Sequence, residues 1–492
     1  MTVSHPPVNL LFDNLLLTIA PAPPGVEEVL TYVEKELQDV WKPGMWFPES
    51  EVVAGKIPLF SQLSGTPNII QTYTGLLDRV VKWLLQHGYR PKMMDNRPEF
   101  PKPKLHLMHG FRFKQRELLT DFLMRGRSGM LRAPTRYGKT TLIINTLRAF
   151  PGVKTVVTVP GAELLTQLYD DIKKALPHRE VKQIGGGSGT KWPSEDITVC
   201  SMDSLHRIDA GSVQLLLVDE PHACASDDRA EEFAKFDNAR KYGYGATLIG
   251  RFDGRDLLTE ALIGPMLVER SYADAVAEGA ICPIVVYMLK VPFEDWSVAK
   301  RDTAYRHLLH RSPAAASLNA QILKDVLPAG WQALAFIANE HQANLYQEAC
   351  PSAEIAMAKL MTKKERKAIV KRLENHELRR CICSGIFSTG VTFHELRAIT
   401  MCSGGGGSIT AIQKPGRVAE IRPGKKFGYV FDFIFEPTFN DPRAKYRDDA
   451  EWQCVTRDCW NRYAAYKDFG YEVHIVDSLE AARNDLLMKE AA

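Results

Sequence analysis

The segment with the clearest chemistry lies in the first third of the chain and reads Ala-Pro-Thr-Arg-Tyr-Gly-Lys-Thr-Thr over residues 133–141. A short apolar run, Met130–Ala133, precedes it, and the apolar positions of Leu142–Leu147 have helical spacing. Strand, loop and helix in this order predict a phosphate-binding loop, because backbone N–H groups at the helix N-terminus point at a polyphosphate. We predict that the loop is lined by Pro134, Thr135, Arg136, Tyr137, Gly138 and Thr141, with Lys139 at the outer phosphates and Thr140 on Mg²⁺.

A pair of carboxylates follows a second apolar run. Asp219 and Glu220 end the sequence Leu-Leu-Leu-Val-Asp-Glu. An aspartate at such a strand end can hold Mg²⁺, and a neighbouring glutamate can orient and deprotonate an attacking water. Pairs of acidic residues are common on protein surfaces. The position of this pair after an apolar strand, downstream of the loop, favours hydrolytic chemistry.

A glutamine upstream of the loop, Gln115, could recognise the base of a nucleotide. Gln115 lies about one helix before Lys139, and its amide could bond to the edge of an adenine. The alternative is a surface glutamine on a helix.

Composition restricts the class of protein. A chain of 492 residues predicts three or four domains, and the net charge of +3 means that a nucleic-acid site must be a local groove. The nine cysteines have no metal-binding spacing, so we expect reduced core residues. There is neither a membrane-length apolar run nor a convincing signal peptide, so we expect a cytoplasmic protein without membrane contact.

Short apolar runs alternate with helical patterns through most of the chain, which predicts an α/β fold with parallel sheets. We expect residues 1–105 to form a small, separable α/β accessory module that binds duplex or branched DNA or positions a partner. It would have helices over Val26–Leu37 and Thr74–His87 and end before the proline-rich linker at 98–103. We place a first lobe at 106–282, a second at 283–440 and a charged tail at 441–492. The glycine run Gly404–Gly407 is expected to be a flexible loop.

Several short motifs, taken in order, resemble helicase superfamily 2. Asp219-Glu-Pro-His222 resembles its Asp-Glu-x-His box, and Gly245-Ala-Thr247 resembles its Ser-Ala-Thr motif. Further likenesses are Gly138-Lys-Thr140, Val159-Pro160, Ser388-Thr-Gly-Val391 and Gln413-Lys-Pro-Gly-Arg417. The detail is closest to the branch that contains the phage helicase UvsW and XPB-like helicases.

The resemblance implies two tandem RecA-like lobes with ATP and Mg²⁺ between them. The first lobe would supply the loop and the carboxylates, and the second lobe Gln413, Gly390 and an arginine finger, Arg417. His222, Ala246 and Thr247 would relay the nucleotide state to a nucleic-acid face. Small residues at strand ends would contact phosphates there: Pro160, Gly161, Gly186, Gly187, Ser201, Asn339, Ser388 and Thr389. Ordinary turn chemistry is the alternative for each.

The last motif departs from the family pattern. The family's final arginine falls on Glu420, and Arg422 follows two residues later. We expect a helix from Ile409 that carries Gln413 and Arg417 on one face, with Arg422 replacing the missing arginine. Either Glu420 turns away and pairs with Lys414, or the ATP cleft is unusually open.

These features predict an ATP-dependent DNA helicase or translocase of recombination, repair or replication type, encoded by a phage and working in its host's cytoplasm. Its partners would be single-stranded, duplex or branched DNA and replication or recombination proteins. The alternatives are an RNA helicase, a duplex translocase that does not separate strands, and an ATP-gated clamp with low turnover.

Overall fold

The computed structural model describes residues 7–40, 49–63, 65, 66, 68–187, 196–248, 250, 251, 253–293, 305–357, 359–385, 393, 395–437 and 450–491. The chain forms two compact units. The first contains residues 1–37 and 52–271, and the second contains residues 38–51 and 272–492.

The N-terminal part of the first unit is a five-stranded sheet with the order β5-β6-β2-β1-β7. A two-stranded ribbon, β3 with β4, accompanies it, and one helix, α1, covers it. The bounds are β1 Pro7–Phe12, β2 Leu16–Ala20, β3 Thr31–Val40, β4 Glu49–Pro58, β5 Phe60–Gln62, β6 Ile70–Tyr73, α1 Leu77–Gln86 and β7 Arg90–Asp95.

The predicted helix over Val26–Leu37 is wrong. A 3₁₀ turn covers only Val26–Leu30, and the chain then enters β3. Val26 and Leu30, at the two ends of that turn, are fully buried in the core. One turn is therefore enough to bury the apolar residues that suggested a helix there. Helical spacing over so short a window does not distinguish one turn from a longer helix.

The N-terminal sheet and the first lobe share one hydrophobic core. Leu10 and Leu17 of the sheet are fully buried in the same cluster as Leu216 and Val218 of the lobe. Two ion pairs join the same parts: Arg79 to Glu260 at 2.7 Å and Arg127 to Asp78 at 2.5 Å. The autonomy of residues 1–105 remains a prediction, and the shared core favours a single folding unit.

The first lobe is a seven-stranded parallel sheet with the order β10-β11-β9-β12-β13-β8-β14. Its strands are β8 Gly129–Arg132, β9 Thr155–Val159, β10 Val181–Ile184, β11 Ile197–Ser201, β12 Leu215–Asp219, β13 Arg240–Gly245 and β14 Met266–Glu269. Its helices are α2 Gln115–Met124, α3 Lys139–Ala149, α4 Ala162–Ala175, α5 Asp227–Ala234 and α6 Asp256–Ile263. The strand predicted at Met130–Ala133 is present as β8, one residue earlier.

The second unit is a second seven-stranded parallel sheet with the order β17-β18-β16-β19-β20-β15-β21. Its strands are β15 Ile284–Phe293, β16 Gln332–Phe336, β17 Glu354–Ala356, β18 Arg380–Cys383, β19 Leu396–Met401, β20 Gly428–Pro437 and β21 Glu472–Val476. Its helices are α7 Tyr272–Ala277, α8 Pro313–Gln321, α9 Glu340–Ala349, α10 Lys363–Glu374, α11 Ser408–Gln413, α12 Ala450–Phe469 and α13 Leu479–Ala491. The expected tail therefore supplies an edge strand, β21, to this sheet.

Both sheets carry buried apolar strands, as parallel sheets covered on two faces require. The eight cysteines whose side chains are described are all buried thiols. None of the described helices is long and apolar enough to cross a membrane.

The shared core can be tested with two leucines on one strand. Leu10 is fully buried and Leu11 is 39% exposed. We expect Leu10→Ala to lower the free energy of unfolding of the first unit by about 2–4 kcal/mol, and Leu11→Ala to have little effect. Hydrogen exchange in β12 is the measurement, because exchange there should accelerate only if the N-terminal sheet and the lobe unfold together. Acceleration confined to β1, β2 and β6 would instead show an autonomous module.

Candidate active site

The phosphate-binding loop has the predicted structure. It begins after β8 and ends at α3, whose first residue is Lys139. Gly138 adopts φ 98°, and a Cβ atom there would lie 2.5 Å from Nε2 of Gln115, so only glycine fits. Arg136 also has a positive φ, 73°. The loop therefore has the tight turn that brings the first N–H groups of α3 together.

Gln115 is fully buried behind this loop. Its carboxamide oxygen accepts a hydrogen bond from the N–H of Arg112 at 2.9 Å, and its Nε2 donates to the carbonyl of Tyr137. Both ends of the amide thus bond to backbone groups, one of them in the loop itself. In this structure Gln115 supports the loop, and adenine recognition by its amide remains a prediction.

The carboxylate pair lies beside the loop because the strands end in register. Asp219 is aligned with Tyr244 of β13, and Gly245 is aligned with Arg132 of β8. The ends of β12, β13 and β8 therefore form one edge, where parallel sheets bind ligands. Across this edge the ammonium of Lys139 forms an ion pair with the carboxylate of Glu220. The structure brings together the cation and the base that the sequence predicted.

Glu220 has a left-handed backbone conformation, with φ 53° and ψ 64°. Its N–H still donates to the carbonyl of Tyr244 at 2.9 Å, so the chain turns sharply without leaving the sheet. Such a conformation is uncommon for a residue with a side chain and is found at functional sites.

Asp219 is an acid whose pKa is raised. Burial raises the pKa of its carboxyl to about 7, the positive charge of Lys139 opposes this shift, and the charge of Glu220 adds to it. Its Oδ1 is buried without a hydrogen-bond partner among the described residues. A buried oxygen of this kind suits a bound Mg²⁺ or one of its water ligands, with Thr140 at the start of α3 as the second protein group. No group of three His, Cys, Asp or Glu side chains in the described parts of the chain could hold a metal alone.

The three predicted coupling residues lie next to this pair. Nδ1 of His222 is 3.5 Å from Oε2 of Glu220, and burial lowers the pKa of His222 against the opposing effect of that carboxylate. Ala246 and Thr247 are buried directly after β13, and the Thr247 hydroxyl has no hydrogen-bond partner among the described residues. Arg251, which the sequence analysis missed, donates to the carbonyl of His222 at 2.5 Å. The sequence clue to Arg251 was its position, four residues after Thr247.

The small residues predicted to contact nucleic acid end three adjacent strands of the first lobe. Pro160 and Gly161 follow β9, Gly186 and Gly187 follow β10, and Ser201 ends β11. A Cβ atom at Gly161 or Gly187 would meet nothing within 4 Å, so both are open to a ligand. Ser201 is buried, and its hydroxyl donates to Ser204 at 2.9 Å, so it is turned into the lobe.

The second unit carries the other predicted residues. Asn339 caps α9, since its carboxamide oxygen accepts a hydrogen bond from the N–H of Gln342 at 3.0 Å. Ser388, Thr389 and Gly390 lie outside the described residues.

The expected single helix through the last motif is wrong. The helix α11 starts one residue early, at Ser408, and ends at Gln413, and a 3₁₀ turn then runs over Pro415–Ala419 with Arg417 inside it. Proline lacks the N–H that would continue the α-helix, which explains the break.

The expected pairing of Glu420 is also corrected. Its carboxylate lies 3.6 Å from the guanidinium of Arg422, whereas Lys414 donates to the hydroxyl of Ser403 at 2.6 Å. Arg422 lies in a turn, because its carbonyl accepts from the N–H of Lys425 at 3.0 Å. Arg417 is 9% exposed. The roles of Gln413, Arg417 and Arg422 remain predictions.

The raised pKa of Asp219 has a consequence for stability. The folded carboxyl keeps its proton up to about pH 7, whereas the unfolded one loses it near pH 4, so this group lowers the free energy of unfolding as the pH rises through that window. We expect Asp219→Asn to stabilise the Mg²⁺-free and nucleotide-free protein at pH 8 by on the order of 2 kcal/mol, with little difference from wild type near pH 4. Urea unfolding at both pH values measures this.

Asp170 is exposed and supplies the control. Asp170→Asn should leave the free energy of unfolding unchanged at both pH values. An equal effect of Asp219→Asn at both pH values would contradict a buried, protonated carboxyl.

Part of the chain is similar to known proteins. Residues 109–250 match the family model described as type III restriction enzyme, res subunit. The protein "Putative helicase 22" of Sulfolobus islandicus filamentous virus (isolate Iceland/Hveragerdi) is 23% identical over 341 residues. That match covers 63% of this chain, and the chain spans only 60% of the length of that relative.

Two solved structures share the fold. The type ISP restriction-modification enzyme LlaBIII bound to DNA has a TM-score of 0.55 at 15% identity and covers 84% of this chain and 36% of its own. Saccharomyces cerevisiae Dbp5 bound to RNA and ADP BeF3 has a TM-score of 0.52 at 12% identity and covers 85% of this chain and 97% of its own. Both likenesses support two tandem RecA-like lobes. The ordered motifs and the matched segment are similar to those of helicase superfamily 2, whose members hydrolyse ATP.

Proposed function

We propose that the protein is an ATP-dependent DNA helicase or translocase. The observation that carries this proposal is the pairing of Lys139 with Glu220 beside the Asp219 carboxyl, whose Oδ1 is buried, at the carboxyl edge of the sheet that contains β8 and β12. A cation for the outer phosphates, a carboxyl for Mg²⁺ and a base for water are the groups that ATP hydrolysis needs.

Lys139 and Glu220 pair with each other here, and each would have a different partner when ATP is bound. In this structure each neutralises the other. When ATP binds, Lys139 transfers to the outer phosphates, and the Glu220 carboxylate is released to accept a proton from the attacking water. Mg²⁺, when bound, neutralises charge on the phosphates, and Asp219 and Thr140 would hold it. The second lobe would supply Arg417 to the transferring phosphoryl group.

DNA is the preferred substrate in this proposal for two reasons. The matched family model is that of a restriction-enzyme subunit, and one structure with the same fold is of an enzyme bound to DNA. RNA is the alternative, because the other structure is bound to RNA. The viral helicase relative supports a viral role in recombination, repair or replication inside the host cell.

A low-turnover ATP-gated clamp is the second candidate, and the last motif favours it. Glu420 stands where the family has an arginine, and its carboxylate pairs with Arg422. If neither Arg417 nor Arg422 reaches the nucleotide, ATP would bind and hydrolysis would be slow.

The first test is nucleic-acid stimulation of the ATPase. We expect turnover to rise with single-stranded, duplex or forked DNA more than with RNA of equal length. Glu220→Gln should retain ATP and DNA binding and lose turnover by about a hundredfold or more, because an amide cannot accept the proton of water. Lys139→Ala should weaken ATP binding itself. Wild-type turnover by Glu220→Gln would show that another group is the base, and greater stimulation by RNA would favour an RNA helicase.

The second test separates the motor from the clamp. Arg417→Ala and Arg422→Ala should each lower DNA-stimulated turnover by roughly tenfold or more and leave DNA affinity unchanged, as loss of an arginine finger does. Glu420→Ala is the matched control, since it removes the partner of Arg422 and keeps the cation. If Arg422→Ala is silent, Arg417 is the single finger. If both variants are silent, the clamp is the better assignment.

A further inference from the structure

A large cavity opens at the carboxyl edge of the second sheet. Its volume is about 830 Å³, within the range of ligand sites, roughly 300–1,000 Å³. Residues that follow three strands line it, namely Asn339, Ser384 and Ser403. A further wall comes from Tyr305, His310 and Arg311, which belong to none of the helicase motifs.

This wall carries an aromatic platform. The rings of Tyr305 and His310 are stacked, with centroids 6.0 Å apart and planes inclined by 18°. Each ring is held by a polar contact: the Tyr305 hydroxyl donates to Asp458 at 2.9 Å, and Nε2 of His310 lies 3.3 Å from the carbonyl of Ser403. Because a carbonyl only accepts, this His310 nitrogen must carry the proton. Both rings are therefore fixed in plane and tilt.

A buried ion pair supports the platform from behind. The guanidinium of Arg462 binds both oxygens of Asp432, at 2.7 and 2.8 Å, and donates to the carbonyl of Gly405 at 2.5 Å. Arg462 lies one turn along α12 from Asp458, the acceptor of the Tyr305 hydroxyl. One helix thus positions both the tyrosine and the glycine loop.

The glycine loop fits closely against this platform. A Cβ atom at Gly404 would lie 2.5 Å from the ring of Tyr305, and one at Gly406 would lie 2.5 Å from the carboxylate of Asp458. Gly404 also has φ 72°, which disfavours other residues. These glycines therefore allow the chain to approach the ring, and the expectation of a merely flexible loop is corrected.

Two exposed cations, Arg311 and Lys359, line the opening, against one described acidic side chain in its lining, Glu340. His341 lines it as well, with an exposed ring. Met357 adds an apolar surface. The cavity thus combines a fixed π-face and an apolar wall with positive charge, which matches a planar base attached to a phosphate.

We propose that this cavity takes one unstacked nucleotide of a single strand, with its base on the His310 ring and its phosphate towards Arg311 and Lys359. The proposal rests on the proposed nucleic-acid function and adds a contact with a base to the backbone contacts of the strand ends. A paired base in a duplex keeps its faces stacked on its neighbours, so the site selects unpaired nucleotides. The same chemistry occurs in a free nucleoside monophosphate, and the experiment separates the two sources.

The experiment measures the affinity of the full-length protein for two single strands of 15 nucleotides. One is oligothymidylate, and the other is an abasic strand with the same number of phosphates. We expect wild type to bind oligothymidylate roughly five- to thirtyfold more tightly, as stacking of one base gives. His310→Ala should remove this preference by weakening oligothymidylate binding alone. Arg311→Ala should weaken both strands equally, because it acts on phosphate.

Two further variants keep the test specific. His310→Phe retains a ring and should retain the preference, which a purely structural role for the histidine would not predict. His178→Ala removes an exposed histidine of the first unit and should change neither affinity. Thermal unfolding of each variant checks that the fold is intact.

Three results would overturn the base pocket: equal wild-type affinity for the two strands, an equal loss for both strands in His310→Ala, or displacement of oligothymidylate by thymidine 5′-monophosphate at comparable concentration. The last result would assign the cavity to a free nucleotide. If wild type binds neither strand, the proposed nucleic-acid function itself fails.

Discussion

The candidate active site depends on the register of three parallel strands. Because Asp219 is aligned with Tyr244 and Gly245 with Arg132, the strands β12, β13 and β8 end at one level. Only then can Lys139, at the start of the helix after β8, reach Glu220, directly after β12. Hydrophobic strands buried on both faces fix this register, since a slip would displace every core side chain. The core of the lobe therefore sets the position of its charges.

The charges at this edge in turn limit the stability of the lobe. The buried carboxyl of Asp219 lacks a partner for one oxygen among the described residues, and Glu220 keeps a left-handed backbone. Each feature costs on the order of 1–3 kcal/mol. The pairing of Glu220 with Lys139 offsets part of this cost in the nucleotide-free state. ATP and Mg²⁺ would replace that pairing with stronger partners, so the first lobe should gain stability on binding.

The sequence predicted the first lobe well because its signals are local. Strand, loop and helix lie within about twenty residues, and Asp219 ends its apolar strand. The failures occurred where one local signal had two solutions. Two apolar residues four apart gave a single 3₁₀ turn at Val26–Leu30 in place of a longer helix. In the last motif Pro415 ended the helix that was expected to carry Arg417.

The platform in the second lobe could not be predicted from sequence for a different reason. Asp432 and Arg462 are thirty residues apart, in a strand and a helix whose periodicity gives no sign of a buried charge pair. The glycine run has the composition of a flexible linker, and only its neighbours Tyr305 and Asp458 show why side chains are excluded.

A buried ion pair of this kind is rarely the most stable choice, because desolvation of both ions opposes their attraction. Apolar residues of similar volume in place of Asp432 and Arg462 could fill the same core, but they would not fix the carbonyl of Gly405 or orient the helix that carries Asp458. The pair is therefore better explained by the geometry that it imposes on the cavity wall than by the stability that it adds. A wall held this rigidly reduces the ordering cost of binding, which is the condition under which one stacked base contributes measurable affinity.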